Sequence, residues 1–389
     1  MNIGIIGTGN RATAYVKVYL SNICEDVRIK ALADIDGEKL KRFGKEYFKL
    51  DEMPDLYTDY NELLDDESIE AVIICTPDTT HREIAIAALK KGKHVLLEKP
   101  FATTIEDCIS LYNESKKYNK VFRLGFVLRY APLYSKVKEI VSRGDLGKLI
   151  TIEAKETLGY LHGGSFFRRW HRFKKNNGGF LNAKCCHDMD LLNWIADEEP
   201  VNVSAFGNRT YFNPREDAGI NCNDCKIKNS CRYAFKEEQR SLFSSEKNLC
   251  VFNSDKDIVD HEVLNIEYES GLTASFTVTT LSAEANRTMI IFGTEATLYA
   301  DFAGGIIKVK YIHPNDEIIY KPDTRLEGHG GGDRGICKDF IDSIRSGKYD
   351  GKSDALAGLL STAVALGGEI SMERKEVVNI RELIKGAKI

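Results

Sequence analysis

Residues 2–12, Asn2-Ile3-Gly4-Ile5-Ile6-Gly7-Thr8-Gly9-Asn10-Arg11-Ala12, decide the fold. The apolar run to Ile6 reads as a buried strand that breaks directly into Gly7-Thr8-Gly9, and an amphipathic stretch follows from Asn10. A helix that opens straight after a glycine turn leaves its first N–H groups free to hold a phosphate. Gly7 permits the tight turn, Gly9 lets backbone approach a pyrophosphate, and Ala12 keeps the helix close to the strand. Thr8, Asn10 and Arg11 complete the loop as candidate contacts to a dinucleotide.

Working outward, the segment VRIKALAD ends on Asp34, 25 residues past Gly9. A carboxylate there accepts hydrogen bonds from ribose hydroxyls and repels a 2'-phosphate, which favours NAD over NADP; the plainer alternative is a helix cap. A helix at 37–48, the strand AVIICT, a helix at 80–91, the strand HVLLEK, a helix at about 105–118 and a short strand VFRLGF follow. Strict alternation predicts right-handed crossovers and a parallel sheet, so residues 1–123 read as a dinucleotide-binding domain.

From Ile150 the pattern changes to strands: TIEAKETLGY, VNVSAFGN, VLNIEYESGLTASFTVTT, TMIIFGTEATLYADF and GIIKVKYI. Residues 124–389 are expected to form a second α/β domain with an open, mainly antiparallel sheet, packed by helices at 186–196, 333–346 and 354–373. The alternation Leu264, Ile266, Tyr268, then Leu272, Ala274, Phe276, Val278, gives one buried face and leaves the other for a partner. A homodimer or homotetramer is therefore predicted.

A chain of 389 residues, 43% of them hydrophobic, suits two cores, and its net charge of -4 supplies no basic field. Nucleic acid and anionic membrane are not expected partners; a small molecule is. No signal sequence is legible and no uninterrupted apolar run approaches twenty residues, so a soluble, cytoplasmic protein is expected.

Four motifs carry a resemblance: Gly-Thr-Gly-Asn-Arg at 7–11, Cys75-Thr76-Pro77-Asp78 with His81, Glu98-Lys99-Pro100, and Cys186-His187-Asp188-Met189-Asp190. Together they resemble the Gfo/Idh/MocA family, named for glucose-fructose oxidoreductase and inositol dehydrogenase. The likeness covers essentially the whole chain, and Glu-Lys-Pro is its most specific element. It implies a Rossmann domain, an α/β domain whose open sheet builds the oligomer, and oxidation or reduction of sugars and cyclitols. It also implies that Cys75, Thr76, Pro77, His81, Glu98 and Lys99 surround the cofactor. Lys99 would hydrogen-bond the reacting hydroxyl beside the nicotinamide, and His187 would accept or donate its proton.

Many members carry Asp four residues before that histidine; this chain has Ala183, with Lys184 beside it. The orienting carboxylate is missing, and Lys184 becomes a further catalytic candidate. The residue types suit the chemistry: loss of hydride from an alcohol requires a base titrating near operating pH, and a lysine lowers the cost of alkoxide charge. The plainer alternatives are a surface lysine at 99 and a helix cap at 187.

Arg129, Tyr130, His162, Arg169, Trp170 and His171 fall where the family lines its substrate pocket, and aromatics with fork-shaped donors suit a hydroxyl-rich ring. The basic run Arg168–Lys175 reads either as a solvated face or as a seat for an acidic sugar or phosphate. The run Gly328–Asp333 reads either as flexible backbone near the site or as a loop capped by Asp333. The leading expectation is an NAD-dependent dehydrogenase of a sugar, glycoside or cyclitol. A redox-neutral glycoside-cleaving enzyme that retains NAD is the alternative, and a non-catalytic NAD or sugar sensor the third.

Of ten cysteines, Cys222 and Cys225 are separated by two residues, Cys231 follows after five more and Cys250 after eighteen, within a polar insertion at about 215–252. A segment so poor in apolar residues needs a staple. Four thiolates suit a structural zinc; an iron–sulfur cluster competes, and free thiols or one disulfide are the plain alternative.

Overall fold

The computed structural model describes residues 1–21, 23–235, 248–347 and 352–389; residues 236–247 of the Cys-rich insertion lie outside the described residues. The chain divides into two units. One comprises Met1–Lys138, Asp323–Ala363 and Ile384–Ile389, the other Glu139–Pro322 and Val364–Leu383. The first unit thus runs past the 1–123 range read from sequence and takes in two later segments.

Six parallel strands organise the first unit: β1 (Asn2–Ile6), β2 (Arg28–Ala33), β3 (Asp55–Tyr57), β4 (Ala71–Ile74), β5 (His94–Leu97) and β6 (Phe122–Leu124), in the order β3-β2-β1-β4-β5-β6. Ile3, Ile5 and Ile6 of β1 and all of β4 are buried, as strands covered on both faces must be. Helices Asn10–Leu20, Gly37–Tyr47, His81–Lys90 and Ile105–Ser115 supply crossovers, within three residues of the expected bounds. Asp36 shows why one starts where it does: its side chain accepts from Lys39 N at 3.0 Å, and Leu40 and Phe43 turn inward. The strand order reverses between β1 and β4. The C-terminal ends of β1, β2, β4 and β5 therefore share one edge, where such sheets bind ligands, and carry Gly7, Asp34, Cys75 and Glu98-Lys99 onto it.

The second unit holds nine strands: β7 (Leu149–Gly159), β8 (Pro200–Asn208), β9 (His261–Tyr268), β10 (Thr273–Ser282), β11 (Asn286–Gly293), β12 (Ala296–Asp301), β13 (Ile306–Tyr311), β14 (Glu317–Tyr320) and β15 (Val378–Asn379). Their order is β14-β13-β12-β11-β7-β10-β9-β8-β15, antiparallel throughout except between β7 and β10. The predicted inner face is observed: Phe276 lies opposite Leu264 and Ala274 opposite Ile266, all buried. The β9–β10 turn needs Gly271, whose φ is +86°. On the outer face Phe206 of β8 pairs directly with Val263 of β9, and they are 66% and 41% exposed.

Helix Ala355–Arg374 is long and apolar enough to cross a membrane by length and composition, yet 83% of its apolar window is buried inside the protein, which makes it a core helix. Leu181–Cys185 is a π-helical turn that leads into helix Cys186–Ala196.

Candidate active site

At the phosphate loop, Gly7 has φ +89° and donates its N–H to Ala33 O at 2.8 Å. A Cβ there would stand 2.8 Å from the Cys75 carbonyl, so only glycine fits between β1 and β4. A Cβ at Gly9 would meet nothing within 4 Å; the space beside it is open. Asp34 accepts from Thr8 N and Thr8 Oγ1, both at 2.8 Å, from Lys39 Nζ at 2.7 Å and from Asp36 N at 3.0 Å. Burial opposes ionisation of Asp34, but Lys39 and these N–H donors hold its carboxyl below the usual carboxylate range.

Glu98, at the end of β5, is the hub beneath the loop. Its Oε1 accepts from Arg11 Nε at 2.8 Å and from Tyr15 OH at 2.6 Å, and its Oε2 accepts from Lys99 N at 3.1 Å. The far end of Arg11 donates to Asp333 at 3.0 and 3.3 Å, and Asp333 also lies 3.1 Å from His329 Nδ1. Burial works against the charge on Glu98; Arg11, Tyr15 and Lys99 reverse it and hold the carboxyl below its usual range. Asp333 is also held below its usual range: burial opposes, and His329 and Arg11 prevail. Asp333 is thus an ion-pair partner rather than the helix cap that the glycine run suggested; the helix opens at Gly332 without any side-chain cap.

In the second unit, a four-membered charge network surrounds the π-helical turn. Lys184 Nζ lies 2.6 Å from Glu156 Oε1, Arg287 NH2 lies 2.7 Å from the same oxygen, and Arg287 Nε lies 2.8 Å from Asp188 Oδ1. Two cations meet two carboxylates, all nearly buried. Against burial, Arg287 and Lys184 hold Glu156 down to about 2; burial pushes Asp188 up to about 7, with Arg287 resisting. Oxygen and sulfur atoms of Glu156, Asp188 and Cys185 lie within 4.8 Å of one another. Both carboxylates already have cations, however, and burial pushes the Cys185 thiol up, so the trio is a poor cation site. His187 sits in the first turn of the following helix and is 5% exposed. His162 is pushed down to about 4 by burial and by the Lys184 charge, and is neutral at neutral pH.

Residues 1–126 match the model of an oxidoreductase family with an NAD-binding Rossmann fold, and residues 134–299 match that of the GFO/IDH/MocA C-terminal domain. The chain belongs to the Gfo/Idh/MocA family. It is 26% identical to YteT of Bacillus subtilis (strain 168), across 99% of both chains. It is 29% identical to myo-inositol 2-dehydrogenase of Thermotoga maritima, across 53% of this chain and 58% of that one. A levoglucosan dehydrogenase solved in complex with NADH shares the fold, with a TM-score of 0.79 at 19% identity over 98% of this chain and 99% of that one.

As a Gfo/Idh/MocA protein it is an NAD-binding oxidoreductase. The residues fit NAD on two counts: open space lies beside Gly9 at a helix N-terminus, and an ionised Asp34 stands at the end of β2. Not every residue expected at the site faces outward. His81 is fully buried, with its ring nitrogens 2.7 Å from Pro100 O and 3.0 Å from Thr76 O, so it ties the 75–77 turn to the Glu-Lys-Pro turn. Pro77 leads the short turn Asp78–Thr80, and Thr76 accepts from Thr80 Oγ1 at 2.8 Å. Burial pushes the Cys75 thiol well up, so it stays neutral. Arg11 serves Glu98 and Asp333, while Asn10 is exposed at the helix start. Tyr130 gives its hydroxyl to Asp339 at 3.0 Å, and Arg129 is buried, so the Tyr130 hydroxyl braces the scaffold. Lys184 is committed to Glu156.

Four pocket candidates do come together. The rings of His162 and His171 each lie 5.6 Å from that of Phe166, the Arg169 guanidinium lies 5.7 Å from the same ring, and Trp170 packs on His171 at 3.8 Å. Within the basic run, Arg172 Nε donates to Asp255 O at 3.0 Å and Lys174 pairs with Glu369 at 2.9 Å and Glu373 at 2.6 Å, so part of it is scaffold. Glu156 and Arg287 were not expected. Period-two reading of TIEAKETLGY puts Glu156 on the same face as buried Ile152 and Leu158, and a carboxylate on an apolar face is the signal that could have found it.

Proposed function

We propose that the protein is an NAD-dependent dehydrogenase acting on a secondary hydroxyl of a sugar, glycoside or cyclitol. The observation that carries this reading is the clamp on Glu98. Arg11 and Tyr15 fix its carboxylate, and the carboxylate in turn fixes the backbone N–H of Lys99 on the edge that bears Gly7 and Asp34. The chemistry NAD supplies when bound is acceptance of a hydride from the alcohol carbon. Lys99 hydrogen-bonds the oxygen and lowers the cost of its developing negative charge. His187 takes the hydroxyl proton, as the family resemblance implies, so the alcohol loses a hydride and a proton and leaves as a ketone. Lys184 acts by positioning, through Glu156. The aromatic and cationic cluster about Phe166 supplies stacking faces and donors of the kind a hydroxyl-rich ring requires. The exposed Phe206–Val263 pair supports assembly into a homo-oligomer through the sheet's outer face.

The test is incubation with NAD and a panel of pyranosides, glycosides and inositols, followed by NADH absorbance and by chromatography for released aglycone. NADH formation with a subset of the panel is expected. Aglycone release without accumulating NADH would replace dehydrogenation by redox-neutral glycoside cleavage, and silence on both readouts would overturn an enzymatic role on these substrates.

A further inference from the structure

Two motifs of the sequence stand outside the chemistry just described. Cys222, Cys225, Cys231 and Cys250 line a cavity of about 10 Å³ in the second unit and are free of disulfides. The other motif, Gly328-His329-Gly330-Gly331-Gly332-Asp333, lies wholly in the first unit and is tied to the phosphate loop through Arg11. Four consecutive residues of it, Gly328 to Gly331, have positive φ, at +64°, +52°, +64° and +92°. Three of them are glycines, but His329, at φ +52° and ψ +43°, carries a side chain into the left-handed region. Glycine at 329 would make the same turn with less strain, so the turn itself does not call for an imidazole.

Asp333 fixes that ring. It is 2% exposed, it accepts from Arg11 NH2 at 3.0 Å, and its two oxygens lie 3.1 and 3.3 Å from His329 Nδ1. Burial opposes ionisation of Asp333, yet His329 and Arg11 keep it ionised, and an ionised carboxylate only accepts. Nδ1 therefore carries the proton given to Asp333, and Nε2 is the ring's other polar atom. The His329 side chain is 38% exposed, so a ring anchored at one nitrogen still faces solvent.

The anchor belongs to one half of the sheet. A Cβ at Gly332 would collide with Val127 O, so the motif packs on the turn Val127–Tyr130 that follows β6, and Arg11 joins Asp333 to Glu98 at the end of β5. Asp34 stands at the end of β2, on the other side of the reversal of strand order between β1 and β4. In a doubly wound sheet the strands on either side of that reversal hold opposite halves of a dinucleotide. With Asp34 on the adenosine half, His329 is on the half that takes the nicotinamide nucleotide. We propose that His329 is a cofactor-binding residue that hydrogen-bonds the nicotinamide half of NAD, with Asp333 positioning its ring. NAD binding alone is needed for this role, whatever substrate is oxidised.

The experiment titrates the full chain with NADH and, separately, with ADP, which carries the adenosine and both phosphates but no nicotinamide half. His329→Gly keeps the left-handed turn; NADH should bind about tenfold more weakly, the loss of one hydrogen bond, with ADP affinity unchanged and the unfolding midpoint no lower. His329→Asn, which tolerates the same backbone and offers an amide, should recover part of the NADH affinity. Unchanged NADH affinity in His329→Gly overturns the assignment. So does an equal loss for NADH and ADP, which would make His329 a brace of the phosphate seat through Asp333 and Arg11, and so does a parent chain that does not bind NADH. Silence of the substrate panel would leave these titrations unaffected.

Discussion

Arg11 Nε stands 2.8 Å from Glu98 Oε1, tying the helix after the glycine loop to the end of β5. Glu98 is 4% exposed, so removing its partner strands a buried charge. Arg11→Ala should lower the stability of the first unit by roughly 3 kcal/mol in urea unfolding. Glu98 and Asp333 are both held below the usual carboxylate range, so the stability they confer is complete above ordinary carboxylate pKa values and lost as pH falls through their folded ones. The variant should therefore also show a flatter loss of stability in acid. An unchanged unfolding midpoint at neutral pH would show that the clamp contributes nothing.

Asp34 carries Lys39 Nζ at 2.7 Å. Asp34→Ser removes a carboxylate that repels a 2'-phosphate and frees an ammonium that attracts one. The ratio of kcat/KM for NADP to that for NAD should rise about tenfold or more, a shift near 1.4 kcal/mol. A ratio that stays put would mean that another group reads the ribose.

Lys99 donates its backbone N–H to Glu98 Oε2 at 3.1 Å, a bond that any residue at 99 other than proline keeps. Lys99→Ala should accordingly fold and bind NAD normally while turnover falls roughly 100-fold. Near-normal turnover on a substrate identified by the panel would remove Lys99 from the chemistry.

Glu262 is fully buried in β9, neither carboxylate oxygen has a hydrogen-bond partner, and burial followed by the Glu369 charge pushes its carboxyl well up. A raised folded pKa means that stability present below the ordinary glutamate value is lost as pH rises above it. Glu262→Gln should stabilise the protein at pH 7 by roughly 1 kcal/mol and flatten the pH dependence of unfolding from pH 4.5 upward. Equal pH slopes in variant and parent would refute this.

Phe206 and Val263 are paired across β8 and β9 and exposed. Phe206→Lys should shift the mass in light scattering at micromolar concentration toward smaller species, without loss of secondary structure. A monomeric parent protein would overturn the oligomer altogether.

Periodicity made most of the fold legible in the sequence. The run Ile3–Ile6 and the alternation Leu264, Ile266, Tyr268 report a buried face directly, so both sheets and their main helices could be placed. The edge strands β3, Asp55–Tyr57, and β14, Glu317–Tyr320, escaped because they bury little. Site residues divided in the same way. Gly7, Asp34 and Lys99 are fixed by local context, a turn or a strand end. The partners of Arg11 and of Arg287 are not: Asp333 and Glu156 lie 322 and 131 positions away, and no local pattern tells a charged residue which distant partner the fold will bring to it. His81 misled for the opposite reason. Its place in the motif is right, but the motif is silent on whether its ring nitrogens meet a ligand or two backbone carbonyls.

The π-helical turn at Leu181–Cys185 holds one residue more than an α-helical path would. Each residue advances a helix by about 100°, so a relative lacking the extra residue would have every later side chain indexed round by that angle. Position 188 would then no longer meet Arg287, and a carboxylate serving that arginine would have to stand one place along the chain. Homologues aligned across this turn without a gap would thus be compared at the wrong residues, and an apparent exchange of histidine or aspartate at 187 and 188 would record a one-residue insertion rather than a change of chemistry.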